Sequence, residues 1–516
     1  MAVIDKQGLR TPMIHEKVAY WASATPDVIS VRSATETLTY AQLDRESSAL
    51  AVYLGAQGIH AGDLVGIFFQ PSVSTLVCMI GILKCGAAYV PLDIVNPVAR
   101  LTQMIGQLAN LKLIFASAQT QGIISGQPVA VADVEVVRRQ LAQVTVPGAD
   151  VWPAQEDDLC YTVFTSGTTG VPKAVAITHR SWANLINWHV SEYGLDHDAN
   201  GILVSAFGFD ISQRSLVTPL YCGAAISLTS SSVFDGYEIV DLIERHRIAS
   251  IHLAPSSLYL IIQASQAGDQ LATLRHLFIG GEVLATARVM GWAMGKGAAC
   301  KLIHQYGVAE CTDVATCYSM TDYPTYLVEG IPMGRPLGNC RVDILDDQNC
   351  PVAVGDIGQI VISGMGVGRG YLNNPSLQAE RFRHIALDSA VRLAYFTGDY
   401  ARRLSDEKSI YLGRRDNQIK IRGMLVNLSE IENGVRNAVS EVEDAIVLNT
   451  QAVPGQDPEL TAFVTMSDEL PALRDIGLQL ASLLPRHMHP RRYVACKQFP
   501  LTQNGKIDRQ ALLGMA

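Results

Sequence analysis

The sequence predicts an α/β protein: a large N-terminal domain of doubly wound α/β subdomains with a small β-barrel subdomain, followed by a small α+β C-terminal domain. Short β-branched and aromatic runs alternate with amphipathic segments through most of the chain, which is typical of α/β layering. Of the 516 residues, 48% are hydrophobic and 17% are charged, enough apolar side chains for several cores. A polar stretch at 413–423 leaves about a hundred residues after it, a reasonable size for a separate domain.

Charge and cysteine usage exclude several functional classes. The formal net charge is −9, so the overall electrostatics do not favour nucleic acid or an anionic membrane. The ten cysteines occur singly, without a Cys-x2-Cys pair or a Cys/His cluster at zinc spacing. Met1–Lys6 lacks the pattern of a signal peptide, and the apolar run Leu76–Leu83 is too short to span a bilayer. We therefore expect a cytoplasmic protein with free thiols, whose partners are small molecules and proteins.

Helices and strands alternate from the beginning of the chain. Val18–Ala24 is predicted as an amphipathic helix and Ile29–Val31 as a short strand, and Thr39 is a plausible N-cap for the next helix. Val65–Phe69 then predicts a strand, and Ser72–Cys85 a helix that ends at a glycine. This order indicates parallel strands joined by helical connections.

Tyr161–Lys173 is the stretch with the clearest chemistry. A strand-like run ends at Phe164, and six glycine, serine and threonine residues follow, Thr165–Gly170. Glycines permit tight turns, while exposed backbone N–H groups and hydroxyls suit a polyphosphate, with Lys173 as a mobile positive charge. The spacing of the Walker P-loop is absent. Because turns of this composition are most often plain loops, the residue types alone leave the function open.

Two polar residues stand near predicted helix starts. His179, in Ile177–Asn184, is a candidate base, but a lone histidine at a helix start is usually a cap or a packing residue, and we expect that role here. Asp210, in Ala206–Ser212, has a simple interpretation as a helix cap. In a substrate pocket its carboxylate would need a cationic partner, because facing an uncharged substrate would cost desolvation energy.

The middle of the chain predicts a second doubly wound layer from Ile248 to Glu310. Within it, His276–Glu282 runs from a strand into a Gly-Gly turn, which lets a flat ring approach the backbone closely. Gly358–Leu372 alternates as expected for a strand hairpin of the β-barrel subdomain. Asp399 follows a glycine turn, and its spacing fits a surface turn residue as well as a ligand.

The C-terminal part begins with the charged stretch Gly413–Gly423, which by itself indicates a solvated hairpin. A capped helix from Leu428, strands at Ala445–Leu448 and Ala462–Thr465, and a helix over Leu473–Leu484 are predicted after it.

Near the chain end, Asn504-Gly505 is a strong turn signal that projects Lys506 from its tip. Exposed turn lysines are usually inert. Several stretches nevertheless resemble, in order, the core motifs of the adenylate-forming enzymes, which include acyl-CoA synthetases, luciferases and the adenylation domains of nonribosomal peptide synthetases. These stretches are Leu83–Asp93, Tyr161–Lys173, Phe209–Ser212, Ile303–Glu310, Tyr395–Asp399, Gly413–Gly423 and Asn504–Arg509.

The resemblance implies a site for ATP and Mg²⁺. Tyr306 would stack on the adenine, Asp399 would accept hydrogen bonds from both ribose hydroxyls, and Glu310 would hold Mg²⁺. Lys506 would meet the substrate carboxylate and the α-phosphate, and with Glu310 it forms the implied catalytic pair. Asp416 would be the hinge about which a mobile C-terminal domain turns. The implied ATP-binding residues are Thr165, Ser166, Gly167, Thr168, Thr169, Gly170, Lys173, Gly280, Gly281, Glu282, Tyr306, Asp399 and Arg414.

One motif departs from the usual form of the family. Where the family has Tyr-Gly-Pro-Thr-Glu, this chain has Val308 and Ala309 in place of Pro-Thr. The change removes a hydroxyl near the phosphates, and the expected consequence is a lower rate or a lower ATP affinity.

The resemblance also implies an amino acid substrate. Asp210 stands where the Phe-Asp-x-Ser motif places a carboxylate against the α-ammonium group, and relatives that activate fatty or aromatic acids lack it. The implied pocket is Asp210, Ile211, Arg214, His252, Phe278, Gly280, Gln305, Asp313, Val314 and Lys506. Its polar residues would penalise an aliphatic or plain aromatic side chain. We expect a carboxylate side chain if Arg214 is available, and a hydroxyl or amide if Asp313 neutralises it; a basic side chain stays open.

The implied reaction is attack of a carboxylate on the α-phosphorus of ATP, followed by transfer of the acyl group to a thiol. We expect residues 1–415 to form the adenylation core and 416–516 the C-terminal domain that carries Lys506. No Gly-Gly-x-Ser carrier site or condensation motif occurs in the sequence, so we expect a free-standing enzyme and a separate carrier protein whose phosphopantetheine is the acceptor. The need for a small accessory activator protein stays open.

Two alternatives remain at this point. An acyl- or aryl-CoA ligase shares the fold and the first half-reaction, and Asp210 argues against it. A degenerate, non-catalytic nucleotide-binding protein is favoured slightly by Val308 and Ala309.

Overall fold

The computed structural model describes residues 10–142, 154–166, 171–231, 233–265, 269–387, 390–405, 408–414, 418–439, 442–450, 458–466, 473–500 and 507–515. The elements up to residue 142 are α1 (Ile14–Ala24), β1 (Ile29–Arg32), β2 (Thr37–Thr39), α2 (Tyr40–Ala56), β3 (Leu64–Phe68), α3 (Val73–Lys84), β4 (Ala88–Pro91), α4 (Val98–Gly106), β5 (Leu111–Ala116), β6 (Ala130–Asp133) and α5 (Val134–Leu141). Thr39 accepts a hydrogen bond from the Gln42 backbone N–H and caps α2, which confirms its predicted role.

The central part contains the strands that surround the candidate site. Its elements are β7 (Leu159–Thr165), β8 (Lys173–Thr178), α6 (His179–Tyr193), β9 (Gly201–Ile202), α7 (Asp210–Cys222), β10 (Ile226–Ser227), α8 (Gly236–Arg245), β11 (Ser250–Leu253), α9 (Pro255–Ala264), β12 (His276–Gly280), α10 (Thr286–Ala293), β13 (Lys301–Tyr306), β14 (Thr316–Ser319), α11 (Tyr323–Glu329) and β15 (Arg335–Pro336).

Two large sheets form the core of this region. The nine-stranded sheet has the order β15-β14-β13-β12-β11-β9-β10-β1-β2, and the strands from β13 to β1 are parallel. The seven-stranded sheet has the order β18-β8-β7-β4-β3-β5-β6, with β18 (Gly370–Tyr371) at one edge. The α/β fold class is confirmed. Helix α3 is buried on all sides from Val73 to Leu83 and is apolar from Leu76 to Leu83, as expected for a helix enclosed within the core.

A third, antiparallel sheet follows. Its strands and the neighbouring helix are β16 (Cys340–Leu345), β17 (Ile357–Gly364), α12 (Pro375–Arg381), β19 (Phe382–Leu387), β20 (Ala390–Arg403) and β21 (Ser409–Arg414). The hairpin predicted for Gly358–Leu372 is wrong. β17 pairs with β16 and β20, whereas β18 pairs with β8 in the seven-stranded sheet. Alternation identifies the faces of a strand but not its partner, so the pattern alone could not assign the pairing.

The last elements form a small α+β unit. They are β22 (Gln418–Ile421), β23 (Met424–Asn427), α13 (Leu428–Ala438), β24 (Val442–Asn449), β25 (Leu460–Met466), α14 (Leu473–Leu480), β26 (Arg492–Cys496) and α15 (Arg509–Leu513). β22 and β23 form a hairpin, and α13 packs against the three-stranded sheet β24-β25-β26. α14 ends at Leu480, earlier than predicted. Among the described helices, none is long and apolar enough to cross a membrane.

Candidate functional site

A cavity of about 690 Å³ lies where strands of both large sheets end. Thr165 at the end of β7, Gly280 at the end of β12 and Tyr306 at the end of β13 all line it. The carboxyl ends of parallel strands are the usual binding edge of an open α/β sheet, because no connection covers them at the point where the topology reverses. Asp210, the first residue of α7, enters the same cavity.

The predicted phosphate loop begins at this edge. Ser166 donates a hydrogen bond from Oγ to the carbonyl oxygen of Leu425 on β23, with a distance of 2.6 Å. Lys173 starts β8, and its ammonium lies 5.7 Å from the centroid of the Tyr371 ring. Gly167, Thr168, Thr169 and Gly170 lie outside the described residues, as do the predicted hinge Asp416 and Lys506.

Glu310 lies in a short 3-10 turn and is only 3% exposed. Its Oε1 accepts a hydrogen bond of 2.7 Å from the Tyr371 hydroxyl, which also contacts the Tyr395 hydroxyl at 3.0 Å. Among the described residues, no donor reaches Oε2, and Glu310 lines the cavity. A carboxylate held in this way, with one oxygen directed to open space, suits a hard cation such as Mg²⁺.

Asp399 lies one layer behind the cavity and is fully buried. Oδ2 accepts from the Tyr306 hydroxyl at 2.7 Å, and Oδ1 accepts from Nη1 of Arg414 at 2.9 Å. The ring of Tyr306 lines the cavity, and the ammonium of Lys420 lies 5.8 Å from its centroid. Three of the predicted ATP-binding residues, Tyr306, Asp399 and Arg414, are therefore joined by hydrogen bonds to Asp399.

The Gly-Gly turn after β12 is a point of close backbone approach. Gly281 has φ +89°, and a Cβ built on it would lie 3.1 Å from Cα of Gly423. Only glycine fits there without displacing the hairpin tip. The next residue, Glu282, accepts from the backbone N–H of Ser256 at 3.1 Å and from its hydroxyl at 3.2 Å, so it neutralises the start of α9.

Asp210 is held by its own helix. Its Oδ1 accepts from the Ile211 backbone N–H at 2.8 Å, while no described donor reaches Oδ2. Burial raises the pKa of Asp210 to about 7, and the negative charge of Asp313 adds to the shift. A partly buried carboxyl group beside another carboxylate attracts a cationic group, which would restore the charged form.

Arg214 lines the cavity and is 1% exposed. Nε donates to Oδ2 of Asp313 at 2.7 Å, and Nη1 donates to Oε1 of Gln305 at 2.6 Å. Nη1 also lies 3.2 Å from Nε2 of His189 on α6. The guanidinium is therefore paired with Asp313 rather than available as a lone cation.

The ten predicted substrate residues divide into two groups. Those that line the cavity are Asp210, Ile211, Arg214, Gly280, Gln305, Asp313 and Val314. His252 and Phe278 do not line it: their rings stack 4.6 Å apart at 11°, and His189 contacts both of them. Lys506, the tenth, is the residue outside the described part.

The charged stretch before residue 424 is not a solvated hairpin. Lys420, Arg422 and Gly423 line the cavity, so the tip of the β22–β23 hairpin enters it. A buried ion pair between Arg100 of α4 and Glu430 of α13 joins the same unit to the large sheets. The pattern of charges alone did not indicate insertion, because charged hairpins usually face water.

Two other histidines bear on the sequence-based predictions: His179 has its expected packing role, and His189 was not predicted. His179 is buried against His15, with ring centroids 5.5 Å apart, and it does not line the cavity. Burial lowers the pKa of His179 to about 3, which agrees with a packing residue. His189, by contrast, carries no sequence signal, because a histidine in the middle of a helix belongs to no motif; only the fold places it beside Arg214.

Comparison with known proteins agrees with this geometry. A family model described as AMP-binding enzyme matches residues 18–372. The chain belongs to this family. Surfactin synthase subunit 2 of Bacillus subtilis (strain 168) is 34% identical over 501 residues, covering 95% of this chain and 14% of that protein. Tyrocidine synthase 3 of Brevibacillus parabrevis is 31% identical over 504 residues, covering 98% and 8%. The chain thus spans a small part of these relatives.

Solved structures extend the likeness of this AMP-binding family member to its fold. Holo-PA1221, a nonribosomal peptide synthetase protein containing adenylation and PCP domains, has a TM-score of 0.82 and 25% identity, covering 98% of this chain and 84% of that one. The o-succinylbenzoate CoA synthetase of Bacillus subtilis has a TM-score of 0.83 at 18% identity, covering 96% and 98%. The second likeness shows the fold alone.

Proposed function

We propose that this AMP-binding enzyme activates an amino acid: ATP and the amino acid give an aminoacyl adenylate and pyrophosphate. The acyl group then passes to the phosphopantetheine thiol of a carrier protein. One observation carries the proposal: a partly buried carboxylate, Asp210, lies in the wall of the cavity with Oδ2 unpaired among the described residues. Fatty and aromatic acids offer it no cation, whereas every amino acid offers an ammonium group.

The opposite end of the cavity supports the nucleotide part of the proposal. Glu310 and Thr165 line the cavity, and Glu310 presents a carboxylate oxygen for Mg²⁺. Thr165 and Ser166 begin the predicted phosphate loop, and Lys173 follows it at the start of β8. When bound, Mg²⁺ would neutralise charge on the phosphates. Lys506 is proposed to stabilise the charge that develops on the α-phosphate during attack by the carboxylate. The role of the protein is then positioning and electrostatic stabilisation, without a side-chain nucleophile.

Charge in the cavity favours a neutral side chain on the substrate. Arg214 and Asp313 form an ion pair, which leaves Asp210 for the α-ammonium group. An acidic side chain would then face Asp313, and a basic one would face Arg214. A hydroxyl or amide side chain avoids both penalties.

Pyrophosphate exchange into ATP, measured with a panel of acids, tests the proposal. We expect exchange with one or a few amino acids and none with fatty or aryl acids. Exchange with fatty or aryl acids instead would indicate a CoA ligase. No exchange with any acid, together with measurable ATP binding, would indicate a non-catalytic nucleotide-binding protein.

The second half-reaction needs its own assay. We expect the aminoacyl group to load onto a carrier protein that bears phosphopantetheine and not onto the same carrier without it, as followed by intact-protein mass spectrometry. Preferred loading of free coenzyme A would argue for a ligase. Adding a candidate activator protein to the same assay shows whether one is needed.

A further inference from the structure

The cavity wall around Arg214 has two layers. Arg214, Gln305 and Asp313 form the layer that faces the cavity, which we call the end wall. Behind it, His189 packs against the stacked rings of His252 and Phe278. His189 touches both layers, because its Nε2 also reaches the end wall.

The protonation of His189 follows from its neighbours. Nδ1 lies 3.0 Å from the carbonyl oxygen of Leu185, which can only accept, so Nδ1 carries the hydrogen. In the neutral ring Nε2 is then an acceptor. It accepts one hydrogen bond from Nε2 of the Gln305 amide, at 2.7 Å, and another from Nη1 of Arg214, at 3.2 Å. Burial and the adjacent guanidinium lower the pKa of His189 well below its usual value, which keeps the ring neutral.

The amide of Gln305 is oriented by the same contacts. Its oxygen accepts from Arg214 at 2.6 Å, and its nitrogen donates to His189 and, at 3.2 Å, to Sγ of Cys317. Both amide hydrogens and the oxygen are therefore used. Rotation of the amide by 180° would place its nitrogen against Arg214, so only one orientation satisfies the network.

The end wall leaves a small set of groups for a ligand. Among the described residues, Nη2 of Arg214 donates to no acceptor, and Oδ1 of Asp313 accepts from no donor. One open donor and one open acceptor thus face the substrate from paired residues. Moving Arg214 away would break its bonds to Asp313, Gln305 and His189, and each buried partner would lose its hydrogen bond.

We propose that His189 is a positioning residue that holds Arg214 and Gln305 as a rigid end wall, which limits the substrate to an amino acid with a short, neutral, hydrogen-bonding side chain. This inference rests on the proposed function. A hydroxyl or carboxamide both accepts from Nη2 of Arg214 and donates to Oδ1 of Asp313. A longer or aromatic side chain would have to displace the wall, and an aliphatic one would leave both groups unpaired.

Two substitutions at His189 test the positioning role. His189→Gln keeps an acceptor near the position of Nε2, whereas His189→Leu keeps the volume and removes the acceptor. In pyrophosphate exchange we expect His189→Leu to raise the KM for the preferred amino acid by about tenfold or more, with the KM for ATP unchanged. Its preference for that amino acid over longer neutral ones should fall by a similar factor. His189→Gln should stay within about threefold of the wild type on both counts.

A merely structural role for His189 would give different results. Circular dichroism and thermal melting establish that both variants fold, and an unchanged KM for ATP confirms an intact nucleotide site. If His189→Leu matches the wild type in amino acid KM and selectivity, or if both variants lower exchange equally with all amino acids, the positioning role is refuted.

A third variant probes the second layer. Arg214→Ala removes the wall between the cavity and the His252–Phe278 stack, and we expect it to gain exchange with longer or aromatic amino acids. No gain with any of them, in a folded variant with normal ATP KM, contradicts the end wall as the size limit.

The wild-type panel separates the two proposals. Exchange with no amino acid defeats the proposed function itself. Exchange that is strongest with a charged, long or aromatic amino acid leaves the proposed function intact and defeats this inference alone.

Discussion

The two ends of the cavity differ in how complete they are. At the substrate end, Arg214 is already paired with Asp313, Gln305 and His189; three of these four residues lie in β13, α6 and α7, and Asp313 lies in the turn before β14. At the nucleotide end, Asp399 is bound by Tyr306 and Arg414, and the C-terminal hairpin places Lys420 beside Tyr306. One end is preformed, while the other contains a part of the C-terminal unit.

This difference leads us to expect that one end of the cavity selects the side chain and the other supports the phosphate chemistry. A side chain must be selected before chemistry, and a network whose hydrogen bonds are already made loses little entropy when the substrate binds. Phosphate chemistry instead requires exclusion of water, and the two proposed half-reactions need different groups, which a C-terminal unit that moves between them would supply. Substitutions should therefore separate effects on amino acid binding from effects on the steps that involve the C-terminal unit.

Lys506 carries the largest expected effect. We expect Lys506→Ala to lower pyrophosphate exchange by about 100- to 1,000-fold, because it removes a cation from the developing charge on the α-phosphate. The amino acid selectivity of any residual activity should be unchanged, since the end wall is intact. Lys497→Ala, which removes an exposed lysine from the same unit, is the matched control. Normal exchange by Lys506→Ala would refute its role.

Substitution of Asp210 has the next largest expected effect. We expect Asp210→Ala to raise the amino acid KM by about 10- to 100-fold, the loss of one hydrogen bond to a charged group, and to leave the KM for ATP within about twofold. Exchange kinetics with each substrate varied in turn provide the measurement. Equal changes in both KM values would show that the two ends are not separable in the way described above.

Breaking the ion pair between Arg100 and Glu430 tests whether the orientation of the C-terminal unit matters for activity. Because this pair is buried between α4 and α13, Arg100→Ala should destabilise the orientation that brings the hairpin into the cavity. We expect loading of the carrier thiol to slow by about tenfold while pyrophosphate exchange stays within about twofold. Single-turnover assays of the two half-reactions measure these rates separately. A parallel loss in both would place the effect on folding instead.

The smallest effect is a pH dependence. Because burial and Asp313 raise the pKa of Asp210 to about 7, its carboxylate predominates only above that pH in the free enzyme. Ammonium binding needs the carboxylate, so the amino acid KM should rise as the pH falls from about 8 to 6, by up to tenfold per pH unit below the pKa. The same titration of the ATP KM is the control. A flat amino acid KM across this range would contradict the shifted pKa.

Much of the fold was predictable from sequence, because strands and helices carry local signals. The cap at Thr39 and the strand–turn arrangement at Thr165 and Gly280 follow from residue types alone. The pairing of β18 with β8 could not be predicted from residue types, because pairing between distant strands depends on which sheet edge is open.

The residues of the site were likewise predictable only in part. Asp210, Glu310 and Tyr306 stand in motifs and line the cavity as expected from the resemblance. His189 has no motif, and the insertion of Lys420 depends on how the C-terminal unit packs. The resemblance also placed His252 and Phe278 in the pocket, but in the structure neither lines the cavity, whereas Arg214, which pairs with Asp313, does.

The most direct test of the central claim is mass spectrometric detection of the adenylate. The protein is incubated with ATP, Mg²⁺ and an equimolar mixture of amino acids, aryl acids and fatty acids. We expect one main product whose mass equals AMP joined to an amino acid with a short hydroxyl or carboxamide side chain, formed about 100- to 1,000-fold more slowly by the Lys506→Ala variant. An adenylate formed only from aryl or fatty acids, or no adenylate at all, would contradict amino acid activation.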